Sequence, residues 1–227
     1  MTAARTGAWL AVAAILALTR AAPAMADVDA LFGDLAGTTL SYDISVDDDP
    51  SGHAQGTILR TEDGNWEVRM ETKIEVEVIG GISIYSLHMS VSEIYGDGVL
   101  LGLDVDAREN DQHNRMTGRM EGSLFHFTHN GKVGTGDRNL VPSTQLWRER
   151  MLERKRVLHV IDGEMFERRV SAIGSERIST DKGVLDLKGY TVESPDERAT
   201  LWFDPDGLLY KAELERLGVT LVIQRRA

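Results

Sequence analysis

Apolar and polar residues alternate with a period of two through most of this chain. From Asn65 to Ile79 one set reads Trp66, Val68, Met70, Thr72, Ile74, Val76, Val78, and the other Glu67, Arg69, Glu71, Lys73, Glu75, Glu77. That pattern predicts a strand with one buried face. At about 3.4 Å per residue it would run roughly 50 Å, so it must bend or twist around a core. Gly80-Gly81 suits a two-residue hairpin loop, since glycine accepts positive φ, and the return strand runs from Ile82 to Tyr95. Pairing Ile79 with Ile82 sets Val76 opposite Tyr85, Ile74 opposite Leu87, Thr72 opposite Met89, Met70 opposite Val91 and Trp66 opposite Tyr95. All of these fall on the apolar face, while Lys73 opposite His88 and Glu71 opposite Ser90 fall on the wet one.

The next link reads as a three-residue loop, Gly96-Asp97-Gly98, pairing Tyr95 with Val99, Leu103 with Val91 and Val105 with Met89. Further strands are predicted at His113–Met120 and Ser123–His129. Weaker ones lie upstream at Thr39–Val46 and Ala54–Thr61, joined by the acidic loop 47–52. Residues 130–142 are Gly-rich and polar and read as a loop or internal boundary. Ser143 is placed to cap a helix from Thr144 to about Lys155, with Trp147 and Met151 on one face. Strands resume at Arg156–Ile161, Glu164–Ile173, Gly183–Glu193, Arg198–Phe203, Leu208–Glu215 and Val219–Gln224. About twelve antiparallel strands exceed what a flat open sheet tolerates. The expected fold is therefore mainly β: a strongly curved antiparallel sheet, half-barrel or open barrel, with one short helix.

The first residues stand apart from this pattern. Arg5, the apolar run Ala8 to Leu18 and the small-x-small site Ala24-Met25-Ala26 predict a secretory signal peptide over residues 1–26, cleaved between Ala26 and Asp27. A single curved β domain is expected over 27–227, located in a periplasm or outside the cell. The apolar run is too short to span a bilayer and no second one follows. The formal charge is −11 from 25 basic and 36 acidic residues; losing Arg5 and Arg20 with the leader makes it −13. Such a balance argues against phosphate-driven nucleic-acid binding. The chain has no Cys, which excludes disulfides, thiolate nucleophiles and cysteinyl metal sites.

Candidate chemistry is sparse. The hairpin register puts Glu93 on the apolar face opposite Val68, with Leu101 on its other side. A carboxylate there is costly unless paired or protonated, and such groups cluster at functional sites. The six histidines (His53, His88, His113, His126, His129, His159) lack metal-ligand spacing, His126 and His129 falling on opposite strand faces. The Asp47-Asp48-Asp49 run and Asp204-x-Asp206-Gly207 read as turn chemistry rather than calcium loops. No dinucleotide loop, P-loop or nucleophile elbow occurs; neither a metal nor a cofactor is expected. Arg148, Arg150, Arg154, Lys155 and Arg156 form a local basic patch suited to an acidic partner or lipid headgroups, or simply a solvated helix face.

Three elements occur in order: Ser92-Glu93-Ile94-Tyr95-Gly96-Asp97-Gly98-Val99-Leu100, Ser143-Thr144-x-x-Trp147, and Leu201-Trp202-Phe203-Asp204-x-Asp206-Gly207-Leu208-Leu209. Together they resemble a family of exported bacterial proteins known only as a domain of unknown function, over about Thr38 to Gln224. Phe203 stands where that family has Tyr, and Tyr95 where Trp is common; both keep an aromatic. The resemblance implies a curved sheet similar to the half-barrel of periplasmic lipoprotein carriers and carries no activity.

These readings predict a non-enzymatic periplasmic module whose concave sheet face holds an apolar ligand, such as a lipid, or a partner segment. Trp66, Met89, Glu93, Tyr95, Trp147 and Trp202 are the candidate ligand contacts. The alternatives are a structural subunit of an envelope assembly docking through the basic helix, or a hydrolase using Glu93 beside His88, His126 or His129.

Overall fold

Antiparallel pairing of neighbours in sequence organises the chain, as its period-two alternation requires. The computed structural model describes residues 32–226 apart from 34, 79–81, 181–182, 196 and 217–218. Strands β1 (Thr39–Val46), β2 (Asp49–Arg60), β3 (Trp66–Val78), β4 (Ile82–Gly96), β5 (Val99–Glu109), β6 (Gln112–Glu121), β7 (Leu124–His129) and β8 (Lys132–Asp137) form a first meander. A connecting segment follows, with β9 (Val141–Pro142), a 3-10 helix (Glu149–Glu153), β10 (Arg156–Leu158) and β11 (Met165–Glu167). Its three short strands make a small sheet of their own, order β11-β10-β9. The second meander is β12 (Arg169–Thr180), β13 (Gly183–Glu193), β14 (Arg198–Phe203), β15 (Leu209–Arg216) and β16 (Val219–Arg225).

Pairing of β16 with β1 joins the two meanders into one 13-stranded sheet. The sheet curls but stays open, with β12 and β8 as its edges. Register shifts at Ile44/Ser45, Val76/Glu77, Ile94/Tyr95, Ala172/Gly174 and Trp202/Phe203 supply local bends and added twist. Leu40, Ile44, Ile58, Val68, Ile74, Val105, Met116, Phe125 and Leu201 are buried on the concave face. The connecting segment lies against them and contributes Leu140, Trp147, Met151, Val157, Leu158 and Val160 to the same core.

The β3–β4 register agrees with the sequence from Trp66↔Tyr95 to Val76↔Tyr85, and then slips so that Val78 meets Ile82. The loop expected at Gly80-Gly81 and the leader expected over residues 1–26 lie outside the described residues. The β4–β5 register is corrected by two residues: Leu103 pairs with Glu93 and Val105 with Val91. Asp97 (φ 48°) and Gly98 (φ 69°) form the turn by themselves, and Gly96 pairs with Val99. This is the two-residue, left-handed hairpin geometry that Asp-Gly favours. Leu101 is the extra residue between the Tyr95↔Leu100 and Ile94↔Gly102 pairs, so it is not Glu93's neighbour. A two-residue shift keeps every side chain on its face.

Other expectations change too. The acidic loop shrinks to Asp47-Asp48, both at positive φ, and β2 begins at Asp49. Residues 130–142 contain β8 rather than a long loop. The predicted strand Glu164–Ile173 divides at Arg168 into β11 and β12. The helix expected from Thr144 does not form: turns lead into five residues of 3-10 helix, which Ser143 does not cap.

Candidate functional site

Two neighbouring constructions occupy the space between the sheet and its connecting segment. The first is centred on Glu93, which the alternation of β4 turns inward and whose side chain is completely buried. Tyr95 donates its hydroxyl to Glu93 Oε2 at 2.9 Å. From the connecting segment, the Thr144 hydroxyl donates to Oε1 and the Gln145 amide to Oε2. Burial nevertheless outweighs these three donors and pushes the Glu93 carboxyl up to about 7. The Tyr95 hydroxyl is raised by burial and by the adjacent carboxyl. Trp66, Tyr95 and Trp147 pack at a tilt around the Phe32 ring, with centroids 5.8, 5.3 and 5.9 Å from it, and Tyr95 ties this aromatic group to the acid.

This cluster is a latch. Arg154 donates to the Gly98 carbonyl of the β4–β5 turn. Leu209 N donates to the Trp147 carbonyl at 2.8 Å, and Glu149 N to the Gly207 carbonyl at 2.9 Å. Asp204 Oδ1 accepts from Asp206 N and Leu208 N, shaping the β14–β15 turn, while Oδ2 accepts from Arg225 at 2.7 Å. The three sequence elements quoted above thus meet at one place and clamp the connecting segment to both meanders.

The second construction is a cavity of about 260 Å³. Its floor is the concave face: Leu40, Tyr42 and Ile44 of β1, Ala54 and Ile58 of β2, Val68, Met70 and Ile74 of β3, and Met89 of β4. The second meander adds Val192, Ala199, Leu209, Leu214 and Ile223. The connecting segment roofs it with Leu146, Trp147, Val157, Val160, Ile161 and Phe166. Polar groups at its boundary include Thr72, His159, Arg168, Ser194 and Glu197. Side-chain volume does not fill this space because the roof is only turns and short strands. Its lining is mostly apolar, with a few polar groups at the boundary.

The sequence pattern of a protein family described as Domain of unknown function (DUF6134) matches residues 42–226. The chain belongs to that family. No curated protein matches the chain. A beta-barrel-like protein of domain of unknown function DUF1849 from Brucella abortus is similar in structure, with a TM-score of 0.62 at 8% identity, covering 83% of this chain and 94% of that one. LprF from Mycobacterium bovis aligns at a TM-score of only 0.29 and 10% identity, over 88% of this chain and 89% of that one. The first likeness shows a shared curved-sheet fold and nothing more.

Within this DUF6134 domain, the six residues singled out from sequence separate into three groups. Met89 and Trp147 line the cavity. Trp66, Glu93 and Tyr95 are buried in the latch, with Trp147 as the partition between the latch and the cavity. Trp202 is on the convex face, where Lys211 Nζ sits 5.3 Å from its ring centroid. None of the histidines proposed beside Glu93 touches it: His88 is exposed opposite Lys73 and Arg108, His126 is half-buried opposite Arg119, and His129 Nε2 bonds the Ile161 carbonyl at 2.8 Å. The basic helix face does not exist as expected, because Arg148 and Arg154 turn inward to the carbonyls of Asp206 and Gly98. No helix among the described residues is long and apolar enough to cross a membrane.

Sequence reasoning missed Thr144 and Gln145 as partners of Glu93, and missed Arg168 altogether. Arg168 sits between β11 and β12 and is only 4% exposed. It donates from Nε to the Arg154 carbonyl at 2.9 Å and from Nη2 to the Met151 carbonyl. Burial pulls its guanidinium down to about 10. No signal in the run Glu167-Arg168-Arg169 marks the middle residue as internal.

Proposed function

We propose that this DUF6134 domain is an exported binding module that holds an apolar ligand in the cavity between its concave sheet and the connecting segment. The observation that carries the reading is the cavity itself, about 260 Å³ with a mostly aliphatic and aromatic lining. An engineered apolar cavity of roughly 150 Å³ already takes up benzene. Met89 and Trp147 are the ligand walls, and Trp66, Glu93 and Tyr95 the support behind Trp147. The leader over residues 1–26 exports the chain, and residues 27–227 act as the binding domain. The latch supports the reading from the other side. A roof clamped at one end by Glu93 leaves its far end, where Ile161 and Phe166 are only half-buried, as the less constrained part.

Native mass spectrometry of freshly purified protein, with titration of the neutral fluorophore N-phenyl-1-naphthylamine, tests it. Binding of a homologous series of n-alcohols should tighten by about fourfold per methylene until the cavity is full, following roughly 0.8 kcal/mol per buried CH₂. Ala54→Leu fills part of the cavity and should shorten the optimal chain while leaving the urea midpoint nearly unchanged. Absence of uptake by the folded wild-type protein refutes the proposal.

A further inference from the structure

The roof of the cavity holds a cation that makes no ion pair among the described residues. Arg168 is 4% exposed, and two of its three nitrogens are spent on the carbonyls of Arg154 and Met151 at the end of the 3-10 helix. Its backbone N–H is tied to the Lys155 carbonyl at 2.8 Å, so the side chain starts from a held position. Among the described residues it makes no ion pair, and Nη1 makes no hydrogen bond. Two carbonyl dipoles do not neutralise a full charge, and an Arg this deeply buried is ordinarily paired with a carboxylate or phosphate.

Position gives the unpaired charge a use. Arg168, Ser194 and Glu197 line both the apolar cavity and an outer cleft formed with Lys155, Glu167, Arg169, Val170, Glu193, Pro195 and Arg198. Arg168 is therefore at the boundary between an oily interior and an aqueous approach. The cleft mixes charges, Arg169 being tied to Glu193 at 3.4 Å. The Ser194 hydroxyl is turned to the Glu197 carbonyl at 3.1 Å. A guanidinium that only stapled two carbonyls could be replaced by a neutral amide at a smaller desolvation cost.

Building on the apolar-ligand reading above, we infer that the ligand is a single-chain amphiphile with an anionic head, carboxylate or phosphate, and that Arg168 receives that head while the chain lies in the cavity. Paired in this way, the guanidinium satisfies its remaining donor, and the ligand's head stays next to water. A neutral lipid would leave the guanidinium without an anion.

The test is displacement of N-phenyl-1-naphthylamine from the whole protein by dodecanoate, dodecyl phosphate and dodecanol, each below its aggregation limit, at pH 8. Both anions should compete at least about tenfold more strongly than dodecanol, and the stronger of the two names the head. Arg168→Gln should bring the anions level with dodecanol and leave dodecanol's own competition within about twofold of wild type. Arg169→Gln and Arg198→Gln should keep the preference. Equal competition by anions and dodecanol in the wild-type protein overturns the inference and leaves the apolar-ligand reading intact; failure of all three ligands overturns both. Retention of the preference in Arg168→Gln, or its loss in Arg169→Gln or Arg198→Gln, also overturns it. Should Arg168→Gln not fold, the Arg168 side-chain N–H resonance of the wild-type protein serves instead: it must move with dodecanoate and stay still with dodecanol, and any other pattern counts against the inference.

Discussion

Glu93→Gln should abolish most of a pH dependence that runs opposite to ordinary acid denaturation. In the unfolded chain the Glu93 carboxyl titrates at 4.5, and in the folded protein burial lifts it to about 7. Between those values the folded state holds a proton that the unfolded state has released, so stability falls as pH rises. The acid contributes its full share below pH 4.5 and has lost it above about pH 7. A shift of this size corresponds to about 3 kcal/mol, at 1.36 kcal/mol per pH unit. Tyr95 remains protonated throughout, since burial and the neighbouring carboxyl both raise it. The carboxylates held low by surface partners, such as Asp106 beside His113 and Arg115, work in the opposite direction but are common to both proteins and cancel in the comparison. Urea melts of wild type and variant at pH 4.5, 5.5, 6.5 and 8 measure the difference. Wild type should lose about 3 kcal/mol relative to the variant across that range, a midpoint change on the order of 1–3 M. Parallel pH profiles would refute the account, showing that the three donors, and not burial, decide the state of this acid.

Further outcomes follow from packing. Trp66→Ala empties the ring position against Phe32 and should cost about 3–5 kcal/mol in a urea melt, since Trp66 is 3% exposed. Trp202→Ala, which removes a half-buried ring beside Lys211 on the convex face, away from the cavity, should shift the same melt by less than about 1 kcal/mol and leave ligand uptake unchanged. Gly118→Ala should destabilise by about 1–3 kcal/mol, because a Cβ there would come within 2.5 Å of the Phe125 ring.

Alternation carried most of the fold in the sequence, and it failed where something other than the pleat decides. On β3 and β4 each inward residue from Trp66 to Val76 and from Tyr85 to Tyr95 is legible, because a one-residue error would put charges in the core. A two-residue error carries no such penalty, which is why the alternation alone does not tell Val91 from Glu93 as the partner of Leu103 and gives no sign of the bulge at Leu101. Strand β8 was hidden because Gly134 and Gly136 have low strand propensity; they are there because the Phe127 ring and the Leu140 side chain occupy the space a Cβ would need. The segment after Ser143 has the capping residue of a helix, yet Ser143 Oγ accepts from Val160 N while Thr144 and Gln145 reach for Glu93. Tertiary partners outbid local propensity. At the site, an inward Glu93 was visible from register alone. The cavity was not, because it exists only once the connecting segment is laid over the sheet, and Arg168 has no periodic pattern around it to show which way it faces.

Pairing of β1 with β16 has a kinetic consequence. A chain made from its N-terminus completes the eight strands of the first meander while the free side of β1 still waits for residues 219–225, nearly the whole length away. Closing so long a loop is slow, and it comes last. Until then Tyr42 to Val46 offer unsatisfied main-chain donors and acceptors to any strand that passes. Two copies caught at this stage can each lend a last strand to the other and give an intertwined pair with every native hydrogen bond intact. The seam at the centre of the sheet is thus the point where dilution, rather than sequence, determines whether one chain or two complete the fold.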